Sequence, residues 1–414
     1  MSESKPSRLT FHYAWIIVFT GMLCIVACLG FGRFALGMLL PSMASTLNLS
    51  YSQIGFISTG NFLGYLASVL LCGHIVRRTG SRRLIVIALA VIGISMTLIS
   101  WAHSFTAVLL LYMITGMGSG AANVPVMGLI TAWFHRAIRG RAAGFVVIGS
   151  GFAIIISGKL IPYVNTRIGP EGWRMNWLIL AGLVTTIAFI GYLFLRNRPE
   201  EKGLVPLGSE DIRITPVPQE RTAEKSIYRN WSVYLLGVIY FLFGYTYVIY
   251  ATFIVTVLVK ERGFSETIAG NFWSWVGFLS LFSGPVFGTL SDRLGRKAGL
   301  TIVFSLQMLA YLLVAVPNLL PVYLYLSILF YGIVAWSIPS IMVAAVSEYV
   351  GPDKALAAFG FITFIFGLGQ IAGPSVAGIL AERTGTFSSS FFMAALFAGT
   401  AILLTGFLKK PHHH

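Results

Sequence analysis

The sequence predicts an all-α polytopic membrane protein with twelve transmembrane helices, and three observations lead to this fold class. The chain has 414 residues, of which 56% are hydrophobic and only 10% are charged, whereas soluble proteins average about 25% charged residues. Twelve apolar stretches are each long enough, as a helix, to cross a hydrocarbon core of about 30 Å. Lysine and arginine concentrate in alternate loops between these stretches, which is the pattern of the positive-inside rule.

The twelve stretches form two groups of six, separated by one long polar segment that is rich in charge and proline. The predicted spans of the first group are 14–40, 51–75, 83–101, 105–132, 141–165 and 173–195. Those of the second group are 231–259, 268–290, 299–316, 321–346, 355–380 and 388–408. We therefore divide the chain into an N-terminal six-helix bundle (1–195), a cytoplasmic linker (196–230), a C-terminal six-helix bundle (231–410) and a purification-tag remnant (411–414).

The net charge of +15 has a topological origin. Of the 29 lysines and arginines, 22 fall in segments on the same side as the N-terminus and five in the loops on the opposite side. This asymmetry predicts that both termini are cytoplasmic, and nucleic acid is not needed to account for the basicity. The three cysteines lie within spans, where they suit neither a disulfide framework nor a zinc site, so no metal or cofactor is expected.

The two groups of spans carry an internal repeat. The segment GHIVRRTGSRR (Gly73–Arg83) follows the second span, and GTLSDRLGRK (Gly288–Lys297) follows the eighth, 215 residues later. At the same offset SQIGFI (Ser52–Ile57) falls on TIAGNF (Thr267–Phe272), with glycine on glycine. Repeated landmarks at one offset indicate that the second half of the chain repeats the architecture of the first.

The repeated loop resembles the signature of the major facilitator superfamily. GTLSDRLGRK matches the pattern G-x-L-x-D-R-x-G-R-[KR] residue by residue, and GWRMNW (Gly172–Trp177) at the start of the sixth span is also similar to that superfamily. The resemblance covers essentially the whole chain. It implies the major facilitator fold, in which two six-helix bundles surround a central cavity that opens alternately to the two sides of the membrane.

Three further stretches resemble narrower groups within the superfamily. HYAWIIV (His12–Val18) and GFGRFALGMLLPSM (Gly30–Met43) look like the YbfB/YjiJ-type bacterial members, which implies a bacterial inner membrane. The stretch Trp133–Pro162 resembles these members and also the monocarboxylate and oxalate/formate porters, which implies small organic anions. The chain departs from the lactate-type porters in its eighth span, which lacks their acid–arginine pair, so their proton-coupled mechanism cannot be transferred.

Arg33 and Lys159 are the two charged residues that lie well inside predicted spans, away from the span ends. Each lies about six residues beyond the middle of a span that runs outward, so both are expected about 9 Å outside the bilayer midplane. A charge near the centre costs about 2.5–3.5 kcal/mol on insertion scales, and no Asp or Glu lies in the middle third of any span. Two unpaired cations at one depth predict an anion site. The alternatives are that Arg33 is structural and that Lys159 snorkels to the outer interface.

The remaining polar and aromatic residues near mid-depth are expected to complete the cavity wall. Alone, each of them is more often a packing residue than a ligand contact, but together they suit a small, partly apolar anion. Asn271, near the outer end of the eighth span, is not included. The predicted lining residues are Asn61, Tyr65, Asn123, Tyr240, Tyr247, Tyr250, Trp275, Trp336 and Gln370.

The two copies of the signature loop predict a gate on the cytoplasmic side. In the superfamily each loop touches the inner end of a helix in the other half, so Asp292 is expected to face the basic start of the fifth span, which contains Arg141. Arg77 occupies the position of the acid in the first copy and is expected to face Glu348 and Asp353. We expect these contacts to close the inner gate in the outward-open state. Alternatively, these are ordinary loop and capping charges.

The sequence therefore predicts a secondary active transporter for a small organic anion, expected to be a carboxylate. No segment matches the ATP-binding pattern G-x-x-x-x-G-K-[ST], and no catalytic constellation indicates an enzyme. The expected partners are the bilayer, the anion and a coupling proton or counter-anion, with a monomeric chain. The alternatives are a multidrug or other small-molecule efflux pump, which would favour an acid in the cavity, and a non-transporting membrane sensor or scaffold.

Overall fold

The computed structural model describes residues 12–209, 230–317 and 320–408. The predicted tag remnant and most of the predicted linker lie outside the described residues.

The described chain forms twelve long helices, as the sequence predicts. The N-terminal half contains α1 (Ala14–Thr46), α2 (Tyr51–Thr79), α3 (Ser81–Ser100), α4 (Phe105–Trp133), α5 (Arg139–Ile168) and α6 (Gly172–Phe194). The C-terminal half contains α7 (Trp231–Glu261), α8 (Glu266–Leu294), α9 (Arg296–Ala315), α10 (Pro321–Val350), α11 (Pro352–Thr384) and α12 (Ser388–Gly406). Eleven of these helices are long and apolar enough to cross a membrane. The remaining helix, α8, is not among those eleven. A short 3₁₀ turn, Pro199–Lys202, follows α6.

The internal repeat is visible in the backbone of the two signature loops. Gly80 joins α2 to α3 with φ 78° and ψ 154°, and Gly295, 215 residues later, joins α8 to α9 with φ 88° and ψ 153°. Positive φ angles of this kind are readily adopted only by glycine. The two loops therefore turn in the same way because the repeat places a glycine at the same point of each.

The halves meet at one end of the bundle, which we call the far end because it lies opposite the chain's entry into α1. There Gly55 of α2 approaches α11 so closely that an added Cβ would lie 2.3 Å from the Pro374 carbonyl oxygen. Gly158 of α5 approaches α8 in the same way, since its Cβ would lie 2.5 Å from the Gly270 carbonyl oxygen. Small residues let membrane helices pack at short distance, so glycines close the far end.

Polar contacts reinforce this closure. Asn165 of α5 donates to the Glu266 carboxylate of α8 at 2.6 Å, and the backbone N–H of Ser52 donates to Glu382 of α11 at 3.2 Å. Nearer the centre of the bundle, the hydroxyls of Ser58 and Thr252 lie 3.3 Å apart. Hydrogen bonds thus join the halves from the far end to about mid-depth.

The halves lie apart at the opposite end, which we call the basic end because α1 begins there and the arginine-rich turns lie there. A Cβ added to Gly144 of α5, Gly288 of α8 or Gly360 of α11 would meet no atom within 4 Å. At this end the hydrogen bonds of Arg296 and Lys297 stay within the C-terminal half. The interior of the bundle is therefore approached from the basic end.

Candidate anion-binding site

Arg33 lies in a distorted turn of α1. Residues Val26–Phe34 are π-helical, and the Ala35 N–H donates to the Gly30 carbonyl at 3.0 Å instead of to Phe31. A Cβ on Gly30 would lie 2.0 Å from the Cβ of Ala153, so α1 packs tightly on α5 at this turn. Single π-helical turns often occur at functional positions because they redirect side chains. Here the distorted segment carries Arg33 into the interior.

The Arg33 guanidinium is buried without an acidic partner. Arg33 is only 9% exposed, and its Nε and Nη2 atoms are buried without a hydrogen-bond partner. None of the ion pairs formed by the described residues includes Arg33. The guanidinium carbon instead lies 4.5 Å from the ring centroid of Phe62 and 4.2 Å from that of Tyr65, which offsets part of its desolvation through cation–π attraction.

Neutral polar groups from both halves converge on this cation. In the N-terminal half, the Asn123 amide donates to the Tyr65 hydroxyl at 2.8 Å. In the C-terminal half, the Gln370 amide donates to the Tyr247 hydroxyl. That hydroxyl interacts electrostatically with the Arg33 guanidinium. The site therefore combines one positive charge with amides and phenols, which can orient an anion without adding charge.

Aromatic rings of the C-terminal half form a wall beside these polar groups. The rings of Tyr240, Phe243, Tyr247 and Phe366 lie within 20° of parallel in each of their mutual contacts. Trp336 extends the wall, with its ring centroid 5.9 Å from that of Tyr247 and 5.0 Å from that of Phe34 in the other half. Such a wall suits an apolar or flat part of a ligand.

The site is closed toward the far end. A cavity of about 10 Å³ lies between Arg33, Asn61, Ser58 and Thr252, which is space for about one water molecule. Phe366, Trp336 and Tyr65, by contrast, are only partly buried. A ligand would therefore reach Arg33 from the basic end.

The structure does not bring Lys159 to Arg33. Lys159 is exposed on the outer surface of α5, and its Nζ donates to Asn271 Oδ1 of α8 at 2.6 Å. The preceding residue, Gly158, occupies the contact with α8, so the next side chain along the helix points away from the interior. The expected two-cation site thus contains one cation, Arg33. The partner of Lys159 is Asn271, which was not among the predicted lining residues.

Two predicted lining residues also lie elsewhere. Trp275 is 56% exposed on the outer surface of α8. Tyr250 is fully buried within the C-terminal half, where it stacks on Tyr331 with the centroids 3.9 Å apart and shares a hydrogen bond of 2.9 Å with Ser327. The Asn61 amide lines the small cavity but donates to the Gly32 and Tyr112 carbonyls at 3.1 and 3.2 Å, which gives it a packing role.

The predicted gate residues lie at the basic end, and those whose side chains the structure describes form no hydrogen bond or ion pair with the other half. Asp292 and Glu348 are both held by Arg296, whose Nη2 lies 2.7 Å from the Glu348 carboxylate. Arg77 and Arg141 are exposed, and the Asp353 side chain lies outside the described part of the chain. Arg296 belongs to the signature GTLSDRLGRK, yet it was not among the predicted gate residues.

Two helical halves around an interior cation define a membrane transporter of the major facilitator type. Residues 25–406 match the family described as "Uncharacterised MFS-type transporter YbfB", and the chain belongs to that family.

The chain is similar to transporters whose names specify small organic anions as their substrates. The chain is 24% identical to the hexuronate transporter of Bacillus subtilis, with 90% of each sequence covered. It is 22% identical to the probable sulfoacetate transporter of Cupriavidus necator, with 94% of the chain and 93% of the relative covered. It is 23% identical to human monocarboxylate transporter 2, with 95% and 85% covered.

Solved structures show the same fold. A bacterial homologue of the human lysosomal transporter Spinster, in its inward-facing and unoccupied conformation, superposes with a TM-score of 0.77 at 15% identity, covering 97% of each chain. The nucleoside transporter NupG gives a TM-score of 0.71 at 16% identity, with 96% of this chain and 98% of that chain covered.

The first prediction concerns the effect of Arg33 on the stability of the ligand-free protein. Because burying a charge without an ionic partner costs several kcal/mol, Arg33→Met is expected to leave the unfolding midpoint of the ligand-free protein unchanged or raise it. Arg296→Met is the matched comparison, because it removes a cation that holds two carboxylates. It is expected to lower stability by about 1 kcal/mol. Thermal unfolding of the purified variants measures both, and a large loss for Arg33→Met would assign Arg33 a structural role.

Proposed function

We propose that the chain is a secondary active transporter that moves a small organic anion across the bacterial inner membrane by alternating access. The observation that carries this proposal is the Arg33 guanidinium, which is buried in the interior with two unpaired nitrogens and without an acidic partner among the described residues. Arginine presents a planar fork that matches a carboxylate. A bound carboxylate would therefore neutralise the charge that the protein leaves uncompensated.

The composition of the site supports a singly charged anion with an apolar part. The site holds one cation, so a second anionic group on the ligand would be buried without a partner, which is costly. The parallel rings of Tyr240, Phe243, Tyr247 and Phe366 offer apolar area rather than hydrogen-bond donors. We therefore expect the site to prefer a monocarboxylate with a flat apolar body to a sugar acid or a dianion.

The two alternative functions differ in what the site should contain. A pump for cationic drugs would favour an interior acid, and the described part of the site contains none. A sensor or scaffold would bind the anion without moving it. Uptake of a radiolabelled anion into proteoliposomes separates transport from sensing.

The second prediction tests the proposed ligand class. Benzoate is expected to raise the unfolding midpoint of the purified protein, because ligands that bind only the native state stabilise it by mass action. Benzamide, its uncharged counterpart, is expected to have no effect. Arg33→Ala should abolish the benzoate shift, and Arg33→Lys should reduce it because lysine lacks the planar fork.

Lys159→Gln is the control, since Lys159 lies outside this site and its loss should leave the benzoate shift intact. Stabilisation only by cations or by uncharged lipophilic compounds would contradict the proposed substrate class. A benzoate shift that survives in Arg33→Ala would contradict the proposed role of Arg33.

We further propose that Arg77 meets the acidic junction of α10 and α11 when the basic end closes. Arg77 is exposed, Glu348 lies near the end of α10, and Asp353 follows at the start of α11, so the charges are complementary. Glu348 is bridged by Arg296 in the open arrangement. Closure would then bring a second cation to the same group of carboxylates.

The third prediction is a charge reversal at this gate. Arg77→Glu is expected to impair transport, because it places an acid opposite acids, and adding Asp353→Arg should restore part of the rate. Asp353 is a cleaner partner than Glu348, whose replacement would also break its bond to Arg296. Arg78→Glu, at the neighbouring exposed position, should have a smaller effect. If neither Asp353→Arg nor Glu348→Arg restores transport to the Arg77→Glu variant, the proposed contact is excluded.

A further inference from the structure

A second groove lies on the outer surface of the bundle, at the join between α5 and α8. Its volume is about 400 Å³, and it is separate from the site at Arg33. One wall comes from each half of the protein, and the groove opens toward the surrounding membrane. Its lining residues are Ile155, Lys159, Asn271, Ser274, Trp275 and Phe278.

The groove contains a positive charge that its protein surroundings do not neutralise. The Nζ of Lys159 donates to the neutral amide oxygen of Asn271 at 2.6 Å, and the lining residues include no carboxylate. Lys159 lies nine residues before the end of α5 at Ile168, which is about 13 Å along the helix axis. At this depth an ammonium group is poorly solvated by bulk water, so an anion beside it would be strongly favoured.

The rest of the groove is apolar and extends along α8. Trp275 and Phe278 are 56% and 44% exposed, with ring centroids 5.7 Å apart. Phe282, which is 50% exposed, continues the ladder of rings, 5.6 Å beyond Phe278. These rings form a strip that runs from the cation toward the basic end, as an acyl chain would when its headgroup lies near Lys159.

We propose that this groove binds one anionic phospholipid from the leaflet at the far end, with its phosphate near Lys159 and an acyl chain along Trp275, Phe278 and Phe282. A zwitterionic lipid fits less well, because it carries a positive group next to its phosphate. The lipid would contact both walls of the groove, and these walls belong to different halves. Its binding would therefore stabilise the arrangement in which the far end is closed.

The test compares nanodiscs of phosphatidylcholine with nanodiscs that also contain phosphatidylglycerol. The unfolding midpoint of the native protein is expected to rise with the phosphatidylglycerol fraction, and Lys159→Gln should lose that rise. Arg167→Gln is the matched control, because Arg167 is a cation near the far end of the same helix and should leave the rise intact. Equal loss in both variants, or an unchanged rise in Lys159→Gln, would overturn the proposal.

A second measurement uses the folded protein and reports where the lipid is bound. Phospholipids with brominated acyl chains quench nearby tryptophan, so the difference between the native protein and Trp275→Phe reports quenching at Trp275. Brominated phosphatidylglycerol is expected to occupy the groove about fivefold more readily than brominated phosphatidylcholine, which corresponds to one lysine–lipid contact. Glycerol phosphate in solution should not compete, since it lacks the acyl chain that lies along Trp275, Phe278 and Phe282. Equal quenching by both lipids, or competition by glycerol phosphate, would contradict the proposed ligand.

Discussion

The burial of Arg33 without a carboxylate is the constraint on which the interior of this protein depends. Removing a guanidinium from water costs several kcal/mol even after the surroundings relax, and the protein supplies two ring faces and neutral hydroxyls and amides in return. These groups lower the cost without cancelling the charge. We therefore propose that this interior cation binds an anion, because a carboxylate would both neutralise the charge and satisfy the unpaired nitrogens.

The packing between the halves determines from which side that cation is reached. Glycines at the crossings of α2 with α11 and of α5 with α8 bring the backbones together at the far end, and Asn165 adds a bond to Glu266 there. The corresponding glycines nearer the basic end have no neighbours across the bundle. An anion entering from the basic end would therefore meet Arg33 before the closed layer. Opening the far end would require the same glycine contacts to separate.

Much of this architecture could be predicted from the sequence. Span lengths, the asymmetry of Lys and Arg and the 215-residue repeat predicted twelve helices in two related halves, which the structure and the family match confirm. Within the site, Arg33, Tyr65 and Tyr247 were identified because a charge or hydroxyl at mid-depth of an apolar helix needs a polar partner or a ligand. Asn123 and Gln370 were identified by the same reasoning.

The rest depends on how far each helix is rotated about its axis, which hydropathy does not determine. Lys159 differs from Gly158 by one residue, about 100° of rotation, and the tight crossing of α5 with α8 turns it outward. Tyr250 follows Tyr247 by less than one turn, yet it lies in the core of its own half, where it contacts Ser327 and Tyr331. Arg296 was missed because its contact with Glu348, 52 residues later in the chain, arises only from the fold.

The most direct test of the central claim is a structure of the protein bound to 4-bromobenzoate, with the bromine located by its anomalous scattering. The carboxylate oxygens are expected within about 3 Å of the Arg33 guanidinium nitrogens, with the bromine toward Tyr240 and Phe366. A carboxylate directed away from Arg33, or a ligand bound only in the groove beside Lys159, would contradict the account.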